Sequence, residues 1–387
     1  MRSFHCPAHT LAAVLTIALT GCSGAIDDRK NTVTVSPPYQ ANDDALTFHQ
    51  SLRIVDLHAD TLLWNRDLLV RNNRGHADLP RLQQGNIAVQ LFGVVTGAPL
   101  PFRIRDNQDR LDSISLLTRI QRWPDITHNS RLQRALYQAE KLRNASRHSD
   151  GMLRLVRTGK DLDQLLAARR NNRNITGAIL ALEGAHALEG NVENLAALHQ
   201  AGFRVLGLAH FFDNEMAGSA HGTDRYGLTE KGKALVRQAT TLGMIIDISH
   251  ASARTIDDVL TITDKPVIAS HGGVRATCDT PRNLDDSQAR KIAATGGVIG
   301  IGLFALASCG RTLEDTVKAM RHVADLVGIE HVALGSDFDG ATETVIDVSG
   351  LVLLTEALQQ AGFKHKEISM LMGDNSLRVL RGSLPAN

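Results

Sequence analysis

The chain has 387 residues, 43% of them hydrophobic, which is ample for one extensive core. Its 42 basic and 41 acidic residues leave a formal charge of +1, so no global field draws it to nucleic acid or to an anionic surface. Aromatic residues at 4% likewise exclude a stacking platform for single-stranded nucleic acid.

In chain order, the first segment is an address. Arg2 precedes an apolar stretch at 11–19, too short to span a bilayer, which runs into Leu19-Thr20-Gly21-Cys22. This resembles a bacterial lipoprotein signal: residues 1–21 are expected to be removed, leaving Cys22 as a lipid-bearing N-terminus anchored by acyl chains. Ser23 in the next position points to the outer membrane of the cell envelope, with the protein facing the periplasm. An ordinary secretory peptide cut nearby is the alternative. The polar residues 22–44 are expected to act as a tether with little fixed structure.

Residues 45–387 read as one domain. Short apolar runs without clean alternation recur at 53–58, 86–95, 177–182, 203–209, 243–249, 266–270, 297–304 and 331–336, with room for a helix between most of them. Eight buried parallel strands with crossover helices predict a (β/α)8 barrel. A long interruption at 101–174, rich in Leu, Arg and Gln, predicts a helical insertion, with helical spacing at 113–119 and 132–143 and its arginines on a solvated face. Four cysteines form no C-x-x-C pair, so a zinc ribbon has no support. Cys6 leaves with the signal. Cys278 and Cys309 stand in loops after runs six and seven, and the residues alone leave a disulfide and two buried thiols equally open.

Polar residues closing barrel strands face the catalytic mouth. His58 and Asp60 leave run one as an H-x-D pair, and alternate residues of an extended segment can face one ion. Alone the pair is weak, because such a histidine is often satisfied by backbone. His250 and His271, 21 residues apart, end runs five and six and so fall on neighbouring strands. Two adjacent imidazoles repel if both are charged, which favours a metal between them. Glu183 closes run three, and a buried carboxylate there suits a bridge between two cations roughly 3.5–4 Å apart. A pairing with arginine is its bland alternative. Asp337 ends run eight.

With these residues in order, the chain resembles the membrane dipeptidase (renal dipeptidase) family, binuclear zinc enzymes of the amidohydrolase-like barrel class. The resemblance spans about 52–380 through Asp56-Leu57-His58-Ala59-Asp60, His76-Ala77-Asp78-Leu79-Pro80-Arg81-Leu82, Leu182-Glu183-Gly184, Tyr226-Gly227-Leu228-Thr229, Asp247-Ile248-Ser249-His250, Ser270-His271, Arg282-Asn283 and Gly335-Ser336-Asp337-Phe338-Asp339-Gly340. It implies two Zn²⁺ per chain, with His58 and Asp60 on one, His250 and His271 on the other, and Glu183 bridging. It further implies that His210 sits over the substrate carbonyl, that Arg282 clamps the substrate carboxylate, and that Asp337 handles protons and the substrate amine, with Asp339 the second choice for that role. The Cys278–Cys309 disulfide and a homodimer also follow by resemblance.

The expected activity is hydrolysis of dipeptides with a free C-terminal carboxylate, tolerant of a D-residue at the second position. Other amide chemistry, deacylation of an N-acyl amino acid or opening of a β-lactam, is the alternative, and a non-catalytic peptide-binding envelope lipoprotein is a more distant one. The chain departs from the family pattern at Ala209-His210-Phe211, where relatives often have Thr-His-Asn, at His199 in place of a tyrosine, and at Gly302-Leu303-Phe304 in place of Asn-Phe-Tyr. These changes spare the metal set and leave the preferred substrate open.

Overall fold

A computed structural model describes residues 24–386; the expected signal and Cys22 lie outside the described residues. Eight strands form the closed barrel of the central sheet: β1 (Ile54–Ala59), β2 (Ile87–Val95), β3 (Thr176–Glu183), β4 (Phe203–Gly207), β5 (Ile245–Asp247), β6 (Ile268–Gly272), β7 (Val298–Ile301) and β8 (Val332–Leu334). All pair in parallel with their sequence neighbours, and Leu334 of β8 lies opposite Asp56 of β1, which closes the barrel. Every residue in these strands is buried, the reason their sequences run apolar instead of alternating. Val55, Val89, Ile179, Val205, Ile245, Ile268, Val298 and Ala333, one from each strand, share a single buried cluster. Only the inside of a closed barrel brings eight strands to one place.

Between strands the chain turns into helices where the sequence supplies caps. Thr229, Ser252, Asp285 and Thr312 each accept an N–H from the residue three positions on, and the last two do so in reciprocal capping boxes with Gln288 and Asp315. Several strands end earlier than the apolar runs suggest. Residues 208–210, 248–250, 302–304 and 335–337 have already left the sheet, so the site residues among them stand on loops at the mouth.

Two expectations need correction. The insertion contains helices Ser113–Ile120, Arg131–Arg147 and Gly159–Arg169, but also a short strand, Leu153–Leu155, paired in parallel with the start of β3. Nor are its arginines all solvated. Arg134 is 2% exposed, paired with Asp112, and donates to the carbonyls of Thr96, Thr127 and His128 at 2.7–2.8 Å, which ties the insertion to the end of β2. A guanidinium has five donors and can satisfy a loop carbonyl set that no other side chain could.

The stretch expected as a free tether is seated on the barrel from residue 24 onward. Asp27 is buried and pairs with Arg66 at 2.9 Å, Asn31 accepts from the backbone N–H of Ala341, and Thr32–Val33 adds a short parallel pairing to Glu343–Thr344. The polar composition that suggested flexibility instead serves buried hydrogen bonds. The structure also joins Cys278 and Cys309, linking the loops after β6 and β7.

Candidate metal centre and active site

The mouth of the barrel collects His58, Asp60, Glu183, His210, His250 and His271 into one buried cluster. Its centre is a single atom. Glu183 Oε1 lies 3.5 Å from His58 Nε2, 3.5 Å from His210 Nε2, 3.1 Å from His250 Nε2 and 3.4 Å from His271 Nε2. Asp60 Oδ1 is 3.3 Å from His58 Nε2, and the Nε2 atoms of His250 and His271 approach to 3.0 Å. Three triads of potential ligands emerge: His58–Asp60–Glu183 and Glu183–His250–His271, with Glu183 common to both, and a third, His58–Asp247–His271.

The backbone is shaped for this convergence. Gly93 on β2 faces the pair from strand one, and a Cβ there would fall 2.3 Å from Asp60 Oδ1 and 2.7 Å from His58 Nε2. His250 and Asp337 hold φ of 61° and 63°, a left-handed conformation that costs non-glycine residues free energy and that clusters at functional sites.

The electrostatics of the cluster are those of an ion site. Burial alone would raise the Glu183 carboxyl, but the His210 and His58 imidazoles hold it well below the usual range. Burial first, then repulsion from Glu183, pushes Asp60 up to about 6. Burial also drives His250 and His271 well below the ordinary histidine value, with Arg282 and His58 adding repulsion, so both rings are neutral and ready to ligate. Buried His58 Nε2, Asp60 Oδ1 and Glu183 Oε2 have no hydrogen-bond partner. Orphaned buried acceptors of this kind are costly unless a cation satisfies them, and imidazole with carboxylate is the donor set of zinc and its first-row neighbours. The residues present therefore fit a metal.

Around them stand the other candidates. His210 donates through Nδ1 to the carbonyl of Gly97 at 3.1 Å, which leaves Nε2 bare toward the centre. Arg282 is buried, donates to the carbonyl of His271 and forms no ion pair among the described residues, so most of its donor fork is uncommitted. Asp337 is partly buried in the loop after β8, held by its backbone N–H to the carbonyl of His58 at 3.2 Å. Burial lifts its carboxyl well above the ordinary value, His58 opposes this, and the Asp60 and Glu183 charges add to the rise. Asp339 does different work: it accepts from Thr61 Oγ1 at 2.7 Å, the His76 N–H at 2.6 Å and Arg66 Nη2 at 2.7 Å, and Arg66 with His76 holds it below the usual range against burial.

Several neighbours of the centre carry no mark in the sequence. His221 is buried with Nδ1 to the carbonyl of Ile104 at 2.8 Å, its ring 5.3 Å from that of His250. His186 meets Thr96 Oγ1 at 3.0 Å, stacked 6.3 Å from His210. Neither ends an apolar run, so nothing in the pattern marked them. Gly93 carried a fair signal, being the one glycine inside β2, where Gln90 is the one polar side chain.

Comparison with known proteins agrees with this geometry. The membrane dipeptidase (peptidase family M19) pattern matches residues 42–384. Dipeptidase verJ of Clonostachys rogersoniana is 31% identical over 319 residues, covering 80% of this chain and 76% of its own length. A metallopeptidase of Rhodobacter sphaeroides, solved with a phosphinate mimic of the dipeptide L-Ala-D-Ala, superposes with a TM-score of 0.71 at 26% identity, covering 86% of this chain and 99% of that one. The probable dipeptidase PvdM of Pseudomonas aeruginosa shares the fold, with a TM-score of 0.73 at 20% identity over 88% of this chain and 98% of its own. The chain belongs to the membrane dipeptidase family, and it is a metal-dependent dipeptidase.

Proposed function

We propose that the centre holds two zinc ions, with His58 and Asp60 on one, His250 and His271 on the other and Glu183 shared, and that the chain cleaves dipeptides carrying a free C-terminal carboxylate. The observation that carries this reading is the single Glu183 oxygen set within 3.1–3.5 Å of four imidazole nitrogens. Such a pair of ions, when bound, activates a water at neutral pH and polarises the scissile carbonyl.

The remaining steps belong to the chain. Arg282, with most of its donors free, receives the substrate carboxylate as a planar fork. His210, its Nδ1 proton committed to Gly97 and its pKa lowered by burial, sets Nε2 beside the substrate carbonyl and orients it. Asp337 takes the proton of the attacking water and returns it to the leaving amine. Its surroundings pull its carboxyl both ways, burial and carboxylates upward and His58 with Arg282 downward, as a proton shuttle requires. The Rhodobacter relative's L-Ala-D-Ala mimic supports tolerance of a D-residue at the second position here.

The test is metal content of purified protein together with amino-acid release from L,L- and L,D-dipeptides, before and after chelation. About two ions per chain with chelator-sensitive cleavage supports the reading; two ions without cleavage moves the substrate to other amides. Arg282→Met is expected to lower kcat/KM about 10²- to 10³-fold, mainly through KM; unchanged kinetics would refute the clamp. We further infer a lipid anchor on Cys22 in the cell envelope and a homodimer. Release of a Cys22→Ser protein into the soluble fraction checks the first, and sedimentation the second.

A further inference from the structure

Behind the candidate ligands lies a buried pair that the reaction itself does not use. Asp247 ends β5 and Ser270 lies in the middle of β6, both out of solvent. Asp247 Oδ1 accepts two backbone N–H groups, of Ser249 at 2.9 Å and of Ser270 at 3.0 Å, while Oδ2 accepts the Ser270 hydroxyl at 2.5 Å. A hydroxyl has one proton, and that contact commits it. Ser270 Oγ has three other neighbours: His271 Nδ1 at 2.9 Å, His58 Nδ1 at 3.5 Å and Ser249 Oγ at 3.2 Å. The Ser249 proton has its own acceptor in the carbonyl of His271 at 3.2 Å. Two lone pairs on Ser270 Oγ then face two ring nitrogens, which must each bring the hydrogen.

We propose that Asp247 and Ser270 are positioning residues shared by both metal sites, setting His58 and His271 with Nδ1 protonated and Nε2 bare toward Glu183. One hydroxyl thereby orients a histidine from each proposed ligand pair, the bond to His271 being the shorter. The two rings also stack at 3.7 Å between centroids, so a change in one is felt by the other. The inference rests on the binuclear reading above. A histidine can ligate through Nε2 only when the hydrogen is on Nδ1, and partners that enforce this typically affect metal affinity ten- to hundred-fold.

The chain contains a natural control. Asp56 on β1 repeats the same arrangement, with Oδ1 accepting the N–H of Ser336 at 2.8 Å and Oδ2 its hydroxyl at 2.6 Å. The remaining contacts of Ser336 Oγ are backbone groups, the carbonyl of His58 at 3.0 Å, to which it lies within donating distance, and the N–H of Phe338 at 3.1 Å, with no imidazole nitrogen among them. Both carboxylates staple neighbouring strands, but only Asp247 works through a hydroxyl onto ligand rings.

Asp247→Asn tests the relay with almost no change of shape. Two N–H donors at the Oδ1 position compel the amide oxygen to stay there, which turns the amide NH₂ toward Ser270 Oγ. Ser270 must then accept from the amide and give its own proton to a ring nitrogen, His271 Nδ1 being nearest, which moves the ring hydrogen onto the metal-facing Nε2. Ser270→Ala removes the acceptor for both rings. Stepwise zinc affinities measured by chelator competition, with visible spectra of the cobalt-loaded proteins and circular dichroism of the metal-free ones, read the outcome independently of turnover.

Ser270→Ala is expected to weaken both ions at least tenfold, and Asp247→Asn at least one of them, with altered cobalt bands and an intact metal-free fold. Asp56→Asn is expected to hold both within about threefold of wild type. Loss of a single ion under Ser270→Ala overturns the sharing, and wild-type affinity in Asp247→Asn overturns the relay. An equal loss in Asp56→Asn assigns the effect to strand packing and overturns both. Fewer than two ions on the wild-type chain instead sinks the binuclear reading, and the proposal with it.

Discussion

Asp337 and Asp339 differ by two positions and share a left-handed backbone, yet their surroundings separate their roles. Asp339 is saturated by Thr61, His76 and Arg66, and through Arg66 it reaches Asp27. Asp337 makes no such set of bonds and is tuned by the charges of the centre. Asp337→Asn is therefore expected to lower kcat about 10²- to 10⁴-fold with metal content unchanged. Asp339→Asn leaves the buried Arg66 guanidinium with Asp27 as its one carboxylate partner and is expected to cost about 1–3 kcal/mol of stability, read from denaturant titration, with ligand geometry otherwise kept. At this scale the sequence was legible where a polar residue closes an apolar run, as at His58, Glu183 and His271. It was mute for Asp247 and Ser270, whose meaning depends on which hydroxyl proton goes where.

Among elements, the loop after β6 deserves the first experiment because it carries Arg282. Asn283 beside it donates to the carbonyls of Cys278 at 2.8 Å and Ala307 at 3.0 Å, and the Cys278–Cys309 disulfide holds the same two loops together. Replacing both cysteines with serine is expected to lower stability by about 2–4 kcal/mol and to raise KM several-fold with kcat nearly kept. Steady-state kinetics with a carboxylate-bearing dipeptide separates the two effects. Helix Asp43–Ser51 offers a pH test. Its His49 is buried against Thr355 Oγ1 at 2.8 Å, and burial pushes its pKa down to about 4. The folded state thus refuses a proton that the unfolded chain takes up near pH 6.5, so this helix loses stability as pH falls from about 6.5 and levels off below about 4. His49→Gln is expected to flatten the fall of Tm between those limits; an unchanged slope assigns the acid sensitivity elsewhere.

For the whole molecule, metal is expected to act as a stabilising ligand of the native state alone. Chelation should lower Tm by roughly 8 °C, taking about 4 kcal/mol for an ion at a thousandfold excess over its Kd and about 2 °C per kcal/mol, and zinc should restore it. A Tm indifferent to chelator would argue against ions held at Glu183. Eight apolar runs, their order and the residues that close them were readable along the chain, because burial on both faces imposes continuous hydrophobicity and a mouth-facing polar group interrupts it visibly. Composition misled where polar residues serve buried partners. Arg134 reads as surface and Asp27 as tether, but each is fixed by groups distant in sequence. Nothing local records those distances. Likewise the meeting of four imidazole nitrogens at one Glu183 oxygen exists only once β1, β3, β4, β5 and β6 take their places in the barrel with their turns, since it depends on angles and ångströms that closure of the barrel sets.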